Sequence, residues 1–249
     1  MSALETRSLC KSFGALTVAD RIDFRLEAGA RHALIGPNGA GKTTFVNMLT
    51  GALAPTSGAI LLGGQDVTRV SQPKRVKRGI GRTFQINSLF RSLSVLDNVA
   101  LAVAEREGIA NRMWKPASRY AALIAECHEL LKTLGLQDDA RRPIKDLPYG
   151  KQRLVEIAIA LGMRPRVLLL DEPAAGVPSL ETHRILEVLA ALPAEIAILV
   201  IEHDMDLVFR FARRITVLAA GAVLMHGTPQ EVANDRRVRE VYLGEAKHV

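Results

Sequence analysis

Residues Gly36-Pro37-Asn38-Gly39-Ala40-Gly41-Lys42-Thr43 follow the spacing G-x-x-x-x-G-K-[ST], and a loop of this form admits few folds. The apolar run His32 to Ile35 before it reads as a short strand, and Lys42 to Leu49 after it reads as a helix. Glycines let the backbone bend so that successive N–H groups and the helix N-terminus point at a polyphosphate, with no Cβ in the way. Lys42 then brings a positive charge to the β- and γ-phosphates, and the Thr43 hydroxyl is placed to ligate Mg²⁺. At average glycine usage, a chance match in a chain this long is on the order of one in a hundred, before the strand and helix around it are counted.

The rest of the chain supplies the sheet that such a loop needs. Ile22, Phe24 and Leu26 alternate with Asp23, Arg25 and Glu27, the two-residue period of a half-buried strand, so an antiparallel β region comes first. Tyr120, Leu123, Ile124, Cys127, Leu130, Leu131 and Leu134 recur at three and four, which predicts an amphipathic helix within a mostly helical lobe. Strand Val167 to Leu170, helix Leu180 to Leu192, strand Ala197 to Ile201 and a helix around Met205 to Ala212 then alternate, as a parallel sheet requires. Ile215 to Leu218 and Val223 to His226 read as two short strands before a polar C-terminal helix.

At 249 residues, 48% hydrophobic and 24% charged, the chain is expected to form one compact compound domain. No apolar stretch approaches the ~20 residues that span a bilayer, and the first residues lack the apolar core of a secretory signal, so a cytosolic chain is expected. Cys10 and Cys127 read as small buried hydrophobes. The balance of 33 basic to 26 acidic residues permits contact with nucleic acid, acidic lipid or phosphorylated ligands. The basic cluster Lys74, Arg75, Lys77, Arg78 and Arg82 reads as a solvated face, since aromatics at 4% are poor material for stacking bases; no nucleic-acid partner is expected.

Leu168 to Leu170 end in Asp171-Glu172, and beside a phosphate loop this pair acquires chemistry. Mg²⁺ needs an acidic partner at a strand end, which Asp171 offers; Glu172 faces elsewhere and is the candidate general base for an attacking water. His203 follows the strand Ala197 to Ile201 at the same sheet edge, where it can hydrogen-bond a γ-phosphate; alone, it would read as a structural histidine.

Taken together, these residues resemble the nucleotide-binding subunit of ABC transporters over almost the whole chain. The resemblance implies an α/β fold: a P-loop NTPase (RecA-like) core with a parallel sheet, an N-terminal antiparallel β region and an inserted α-helical subdomain. Residues 1–85 and 166–249 would form the core of a single domain, and about 86–165 the helical subdomain. Phe13 in Lys11-Ser12-Phe13-Gly14 resembles the aromatic that stacks on adenine, with a core phenylalanine as the other reading. Gln85 in Gly81-Arg82-Thr83-Phe84-Gln85 resembles the lid glutamine that touches Mg²⁺ beside Thr43 and Asp171. Leu147-Pro148-Tyr149-Gly150-Lys151-Gln152-Arg153 aligns with the family signature L-S-G-G-Q. By this resemblance the nucleotide contacts extend from Gly36 through Thr44 and include Tyr149 and Gly150, with Lys42, Glu172 and His203 catalytic. Residues 86–95, with Leu89, Phe90 and Leu93, resemble the groove for a helix of the membrane partner, or ordinary lobe packing.

Within that family, Asn87-Ser88-Leu89-Phe90, the stretch Glu105 to Ser118, the signature tyrosine, Pro173-Ala174-Ala175-Gly176 with Glu181-Thr182, Glu202-His203-Asp204-Met205, Gly227-Thr228-Pro229 and Val241-Tyr242-Leu243-Gly244 resemble subunits of branched-chain amino acid importers. The resemblance implies ATP hydrolysis with Mg²⁺ at the cytoplasmic face of the inner membrane. It also implies a second ABC ATPase subunit paired head to tail as homo- or heterodimer, two permease subunits, and an extracytoplasmic solute-binding protein. A urea, amide or aromatic-acid importer, or a lipopolysaccharide or lipid exporter, would present the same catalytic motifs. Two departures stand out. Pro148 replaces the usual serine and removes a hydroxyl and an N–H, while Lys151 replaces glutamine with a charge that could offset part of that loss. Val177-Pro178-Ser179-Leu180 lacks the usual Asp or Asn of the interface loop, so an unequal pair of ATP sites is expected.

Overall fold

The computed structural model describes residues 2–83, 89–109 and 118–245. In chain order these form β1 (Ser2–Phe13), β2 (Leu16–Glu27), β3 (Arg31–Ile35), α1 (Lys42–Thr50), β4 (Ser57–Leu62), β5 (Gln65–Asp66), α2 (Gln72–Lys77) and β6 (Ile80–Arg82). There follow α3 (Val95–Arg106), α4 (Ser118–Thr133), α5 (Tyr149–Gly162), β7 (Val167–Asp171), α6 (Ser179–Ala191), β8 (Ala197–Ile201), α7 (Met205–Phe211), β9 (Arg214–Ala219), β10 (Ala222–Gly227), α8 (Pro229–Asn234) and α9 (Arg236–Glu245). Two compact units result, one of Met1–Ile80, Arg166–Glu172 and Pro193–Val249, the other of Gly81–Pro165 and Pro173–Leu192. The segment after Glu172 thus groups with the helical unit, whereas the sequence reading counted it with the core.

In the first unit, β2, β1, β4 and β5 form an antiparallel sheet, and a second sheet has the order β10-β9-β3-β8-β7. β3 pairs parallel with β8 and β9, and β7 pairs parallel with β8. Every residue of β3, β7 and β8 is buried, as expected of parallel strands covered on both faces. β2 instead buries Ile22, Phe24 and Leu26 and exposes the charged residues between them. Its buried face meets α1 and the second sheet: Phe24 stands edge-on to both His32 and Phe45, with centroids 5.2 and 5.5 Å apart. Burying a side chain of this size stabilises the unit by roughly 1.5–3 kcal/mol.

The second unit is helical. Ser94 caps α3, accepting from the Asp97 N–H, while the Asp97 carboxylate accepts from the Ser94 N–H, a reciprocal cap that closes both orphan donors. Asn98 binds both backbone groups of Phe90 and so ties the preceding loop to α3. Of the expected partner groove, Leu89 is buried while Phe90 and Leu93 are exposed; residues 86–88 lie outside the described ones.

Two expectations need correction. Arg75 is not on a solvated face: it is 1% exposed, and its guanidinium donates to Met48 O, Leu49 O, Thr68 O and Val70 O, closing the last turn of α1. The carbonyl end of a helix carries partial negative charge, which lets a cation be buried there. Cys10 is only half-buried and accepts from the Arg21 N–H, whereas Cys127 is fully buried as expected, burial pushing its thiol up to about 11.

Candidate functional site

β3 runs into the glycine loop, and α1 leaves it. Gly41 precedes α1 at φ 95°, and a Cβ there would lie 2.7 Å from Val18 O, so only glycine fits. Asn38, Gly39, Ala40, Gly41, Lys42, Thr43 and Thr44 line a cavity of about 220 Å³ together with Val18 of β2 and Glu172. Gly36 and Pro37 precede it, and the Lys42 ammonium donates to their carbonyls at 2.6 and 2.8 Å. With N–H groups at the start of a helix, a lysine and no covering side chain, such a concavity suits a phosphate chain.

The ends of β7 and β8 meet this edge. Asp171 closes β7 opposite Ile201 and is 5% exposed. Glu172 follows at φ 45°, a left-handed backbone that L-residues occupy at a cost of roughly 1–2 kcal/mol, and its N–H donates to Ile201 O. That turn separates the two carboxylates, leaving Asp171 buried and bringing Glu172 to the cavity wall. His203 is the second residue after β8; its Nδ1 is 3.7 Å from Glu172 Oε1 and 3.9 Å from Glu202 Oε2. Glu202, 1% exposed, also accepts from the His203 N–H at 3.2 Å. Sequence reading saw Glu202 only as part of a string; nothing but its place after a buried strand could have marked it as the group beneath His203. Val18 was missed too, because its contribution depends on the packing of β2 against the loop.

Phe13 is 52% exposed, which removes the core reading, and Lys11 Nζ lies 4.9 Å over its ring. Gln85 lies outside the described residues. In the helical unit, Pro148 is the N-cap of α5, with no side-chain hydrogen bond at that position. Tyr149 faces Arg153, whose guanidinium carbon is 5.2 Å from the ring centroid. A Cβ on Gly150 would overlap the Glu181 carboxylate and lie 3.2 Å from Glu181 Cβ, so a larger residue here would displace the Glu181 side chain where α5 packs on α6. Lys151 does not supply a spare charge: its ammonium is 2.5 Å from Asp139 Oδ2, in the short turn Gln137–Asp139, and Arg142 binds the other oxygen at 2.8 Å. Burial pushes the Asp139 carboxyl up, but the hydrogen bonds from Lys151 and Arg142 outweigh it and hold the group below the ordinary carboxylate range.

The family described as ABC transporter matches residues 19–175, and that described as branched-chain amino acid ATP-binding cassette transporter matches residues 222–248. The chain is 37% identical over 251 residues to the high-affinity branched-chain amino acid transport ATP-binding protein BraF of Pseudomonas aeruginosa, covering 98% of both chains. It is 38% identical over 250 residues to LivG of Escherichia coli, which carries the same description, again covering 98% of each. Among solved structures, the ADP conformation of MJ1267, an ATP-binding cassette of an ABC transporter, matches with a TM-score of 0.86 at 29% identity, covering 98% of this chain and 99% of that one.

Proposed function

Because the chain belongs to the ATP-binding cassette family of ABC transporters, we propose that the cavity walled by the glycine loop and Glu172 is its Mg-ATP site, powering an importer. The observation that carries this reading is Glu172 on the wall of the phosphate cavity, where a base must stand to reach a water beside a terminal phosphate. Lys42 leaves the Gly36 and Pro37 carbonyls for the β- and γ-phosphates, so nucleotide replaces hydrogen bonds the loop already makes. The loop N–H groups from Asn38 to Thr44 hold the remaining phosphate oxygens.

Thr43 and Asp171, with Gln85 by the family resemblance, would hold Mg²⁺, which would supply charge neutralisation to the phosphate oxygens. A hydroxyl, a strand-end carboxylate and an amide suit a cation that keeps waters and phosphate oxygens as its other ligands. Glu172 accepts the proton of the attacking water, and His203, seated on Glu202, hydrogen-bonds the γ-phosphate. Phe13, exposed at the β1–β2 turn, stacks on the base.

The printed descriptions of BraF and LivG support branched-chain amino acids, or a related polar solute, as cargo. Urea, amide or aromatic-acid import, and lipid or lipopolysaccharide export, are the alternatives. The chain would sit at the cytoplasmic membrane face with a second ATPase subunit, two permeases and a solute-binding protein. No described helix is long and apolar enough to cross a membrane, so attachment would run through the permeases. In the head-to-tail pair, Tyr149 and Gly150 face the partner's nucleotide. Pro148 weakens that second site, and with Lys151 held by Asp139 its charge does not compensate.

ATP-dependent uptake of labelled L-leucine into vesicles, by the transporter reconstituted with its permeases and binding protein, tests the cargo. Uptake abolished by Lys42→Ala supports the reading; ATP hydrolysis without uptake of any branched-chain amino acid would redirect it to the alternatives.

A further inference from the structure

We infer that Glu202 is a positioning residue for hydrolysis: its buried carboxylate anchors His203 and turns the ring so that Nδ1 faces inward and Nε2 is left for the terminal phosphate. The inference rests on the reading of His203 as the group that binds the γ-phosphate.

Among the described residues, the carboxylates beside His203 are Glu172, Glu202 and Asp204, and they are not equivalent. Asp204 is committed to α7, whose first turn it caps by accepting from the Asp206 and Leu207 N–H groups at 3.0 and 3.2 Å. Glu172 lines the phosphate cavity, where its role is to take a proton from water. Glu202 bears on the histidine itself. Its Oε2 accepts from the His203 N–H at 3.2 Å and lies 3.9 Å from Nδ1. At 1% exposure this carboxylate has given up its hydration, a loss that hydrogen bonds and an opposite charge must offset.

The anchor is in turn registered against the strand that leads into the glycine loop. Leu34 of β3 stands opposite Ile201 of β8, and the Glu202 N–H donates to Leu34 O at 3.4 Å. The backbone at His203 is therefore held on one side by β3, through Glu202, and on the other by the cap of α7. These bonds leave the rotation of the His203 side chain, 67% exposed, to be fixed by what faces it. Glu172 Oε1 at 3.7 Å and Glu202 Oε2 at 3.9 Å both face Nδ1. A carboxylate only accepts, so the nitrogen turned toward two of them is one that carries a proton. A ring that also donates from Nε2 to a phosphate is the imidazolium, for which Glu202 is a fixed counter-charge.

Glu202→Gln keeps an oxygen to accept from the His203 N–H but removes the charge. In the assembled transporter it should slow single-turnover hydrolysis about tenfold. ATP affinity should change by less than about threefold, which also checks the fold. In a His203→Ala background the same change should slow hydrolysis by less than about twofold, because a positioning residue acts through the group it positions. A second measurement needs no turnover. In the full-length chain labelled with ¹⁵N-histidine, the His203 Nδ1 resonance, assigned by its loss in His203→Ala, should have the shift of a protonated nitrogen, and Glu202→Gln should move it toward the unprotonated value. Parent-like hydrolysis in Glu202→Gln, a tenfold loss that persists in the His203→Ala background, or an unprotonated Nδ1 in the parent would each overturn the inference while leaving His203 its role. Unchanged hydrolysis in His203→Ala would overturn the reading of His203, and the inference with it.

Discussion

His203 Nδ1 lies 3.7 Å from Glu172 Oε1, close enough for the two to share a water but too far for a direct hydrogen bond. The two side chains reach this spacing from different strands, β7 and β8, whose parallel register sets Asp171 against Ile201. If His203 binds the γ-phosphate, His203→Ala should lower the rate of hydrolysis about ten- to a hundredfold, the worth of a hydrogen bond to a charged group. ATP affinity should change far less, because Lys42 and the loop N–H groups remain. Single-turnover hydrolysis beside equilibrium ATP binding separates the two effects.

Pro148 gives a prediction in which stability and activity part company. Its backbone, at φ −55° and ψ 151°, already has the extended form of an N-cap, so serine fits without rearrangement. A serine cap contributes about 1 kcal/mol, and loss of proline's restraint on the unfolded chain removes about 0.4–1 kcal/mol, so the two nearly cancel. Urea unfolding of Pro148→Ser should stay within about 1 kcal/mol of the parent. ATPase activity of the assembled complex should rise, since a hydroxyl and an N–H return beside the partner's nucleotide. Unchanged activity would remove Pro148 as the cause of asymmetry.

The Lys151–Asp139 pair predicts a pH dependence. Asp139 titrates below its unfolded value, so its contribution is fully present well above about pH 4 and is lost as pH falls through the lower folded value. Asp139→Asn should therefore be less stable than the parent near neutral pH, by about 1–3 kcal/mol, with the difference shrinking as the pH drops below about 4. Denaturant titrations across that range check it. A deficit of the same size in acid would show that packing, not charge, is responsible.

The sequence displayed the phosphate loop, the carboxylates after β7 and the strand before His203 because each is a local pattern: glycine spacing, an apolar run and its end. β1 was missed where β2 was not, for a physical reason. Its pairing with β2 slips between Thr6 and Leu9, with Ser8 at φ 43°, and that bulge breaks the alternation that marks a half-buried strand. Arg75 and Lys151 misled for a different reason: a charge announces a solvent face unless its partner is known. The partners here are helix-end carbonyls 26 and 27 residues away and an aspartate 12 residues away. Glu202 could be told from an ordinary loop acid only once β8 was seen to be buried along its length.

The measurement that bears most directly on the account is steady-state ATP hydrolysis by the assembled transporter carrying Glu172→Gln in this chain alone. Removing a general base is expected to cost about 10²–10⁴-fold at this chain's site while ATP binding persists. If this site is the stronger of the two, turnover by the whole complex should collapse. Activity equal to that of the parent complex would contradict both Glu172 as the base and the inequality of the two sites.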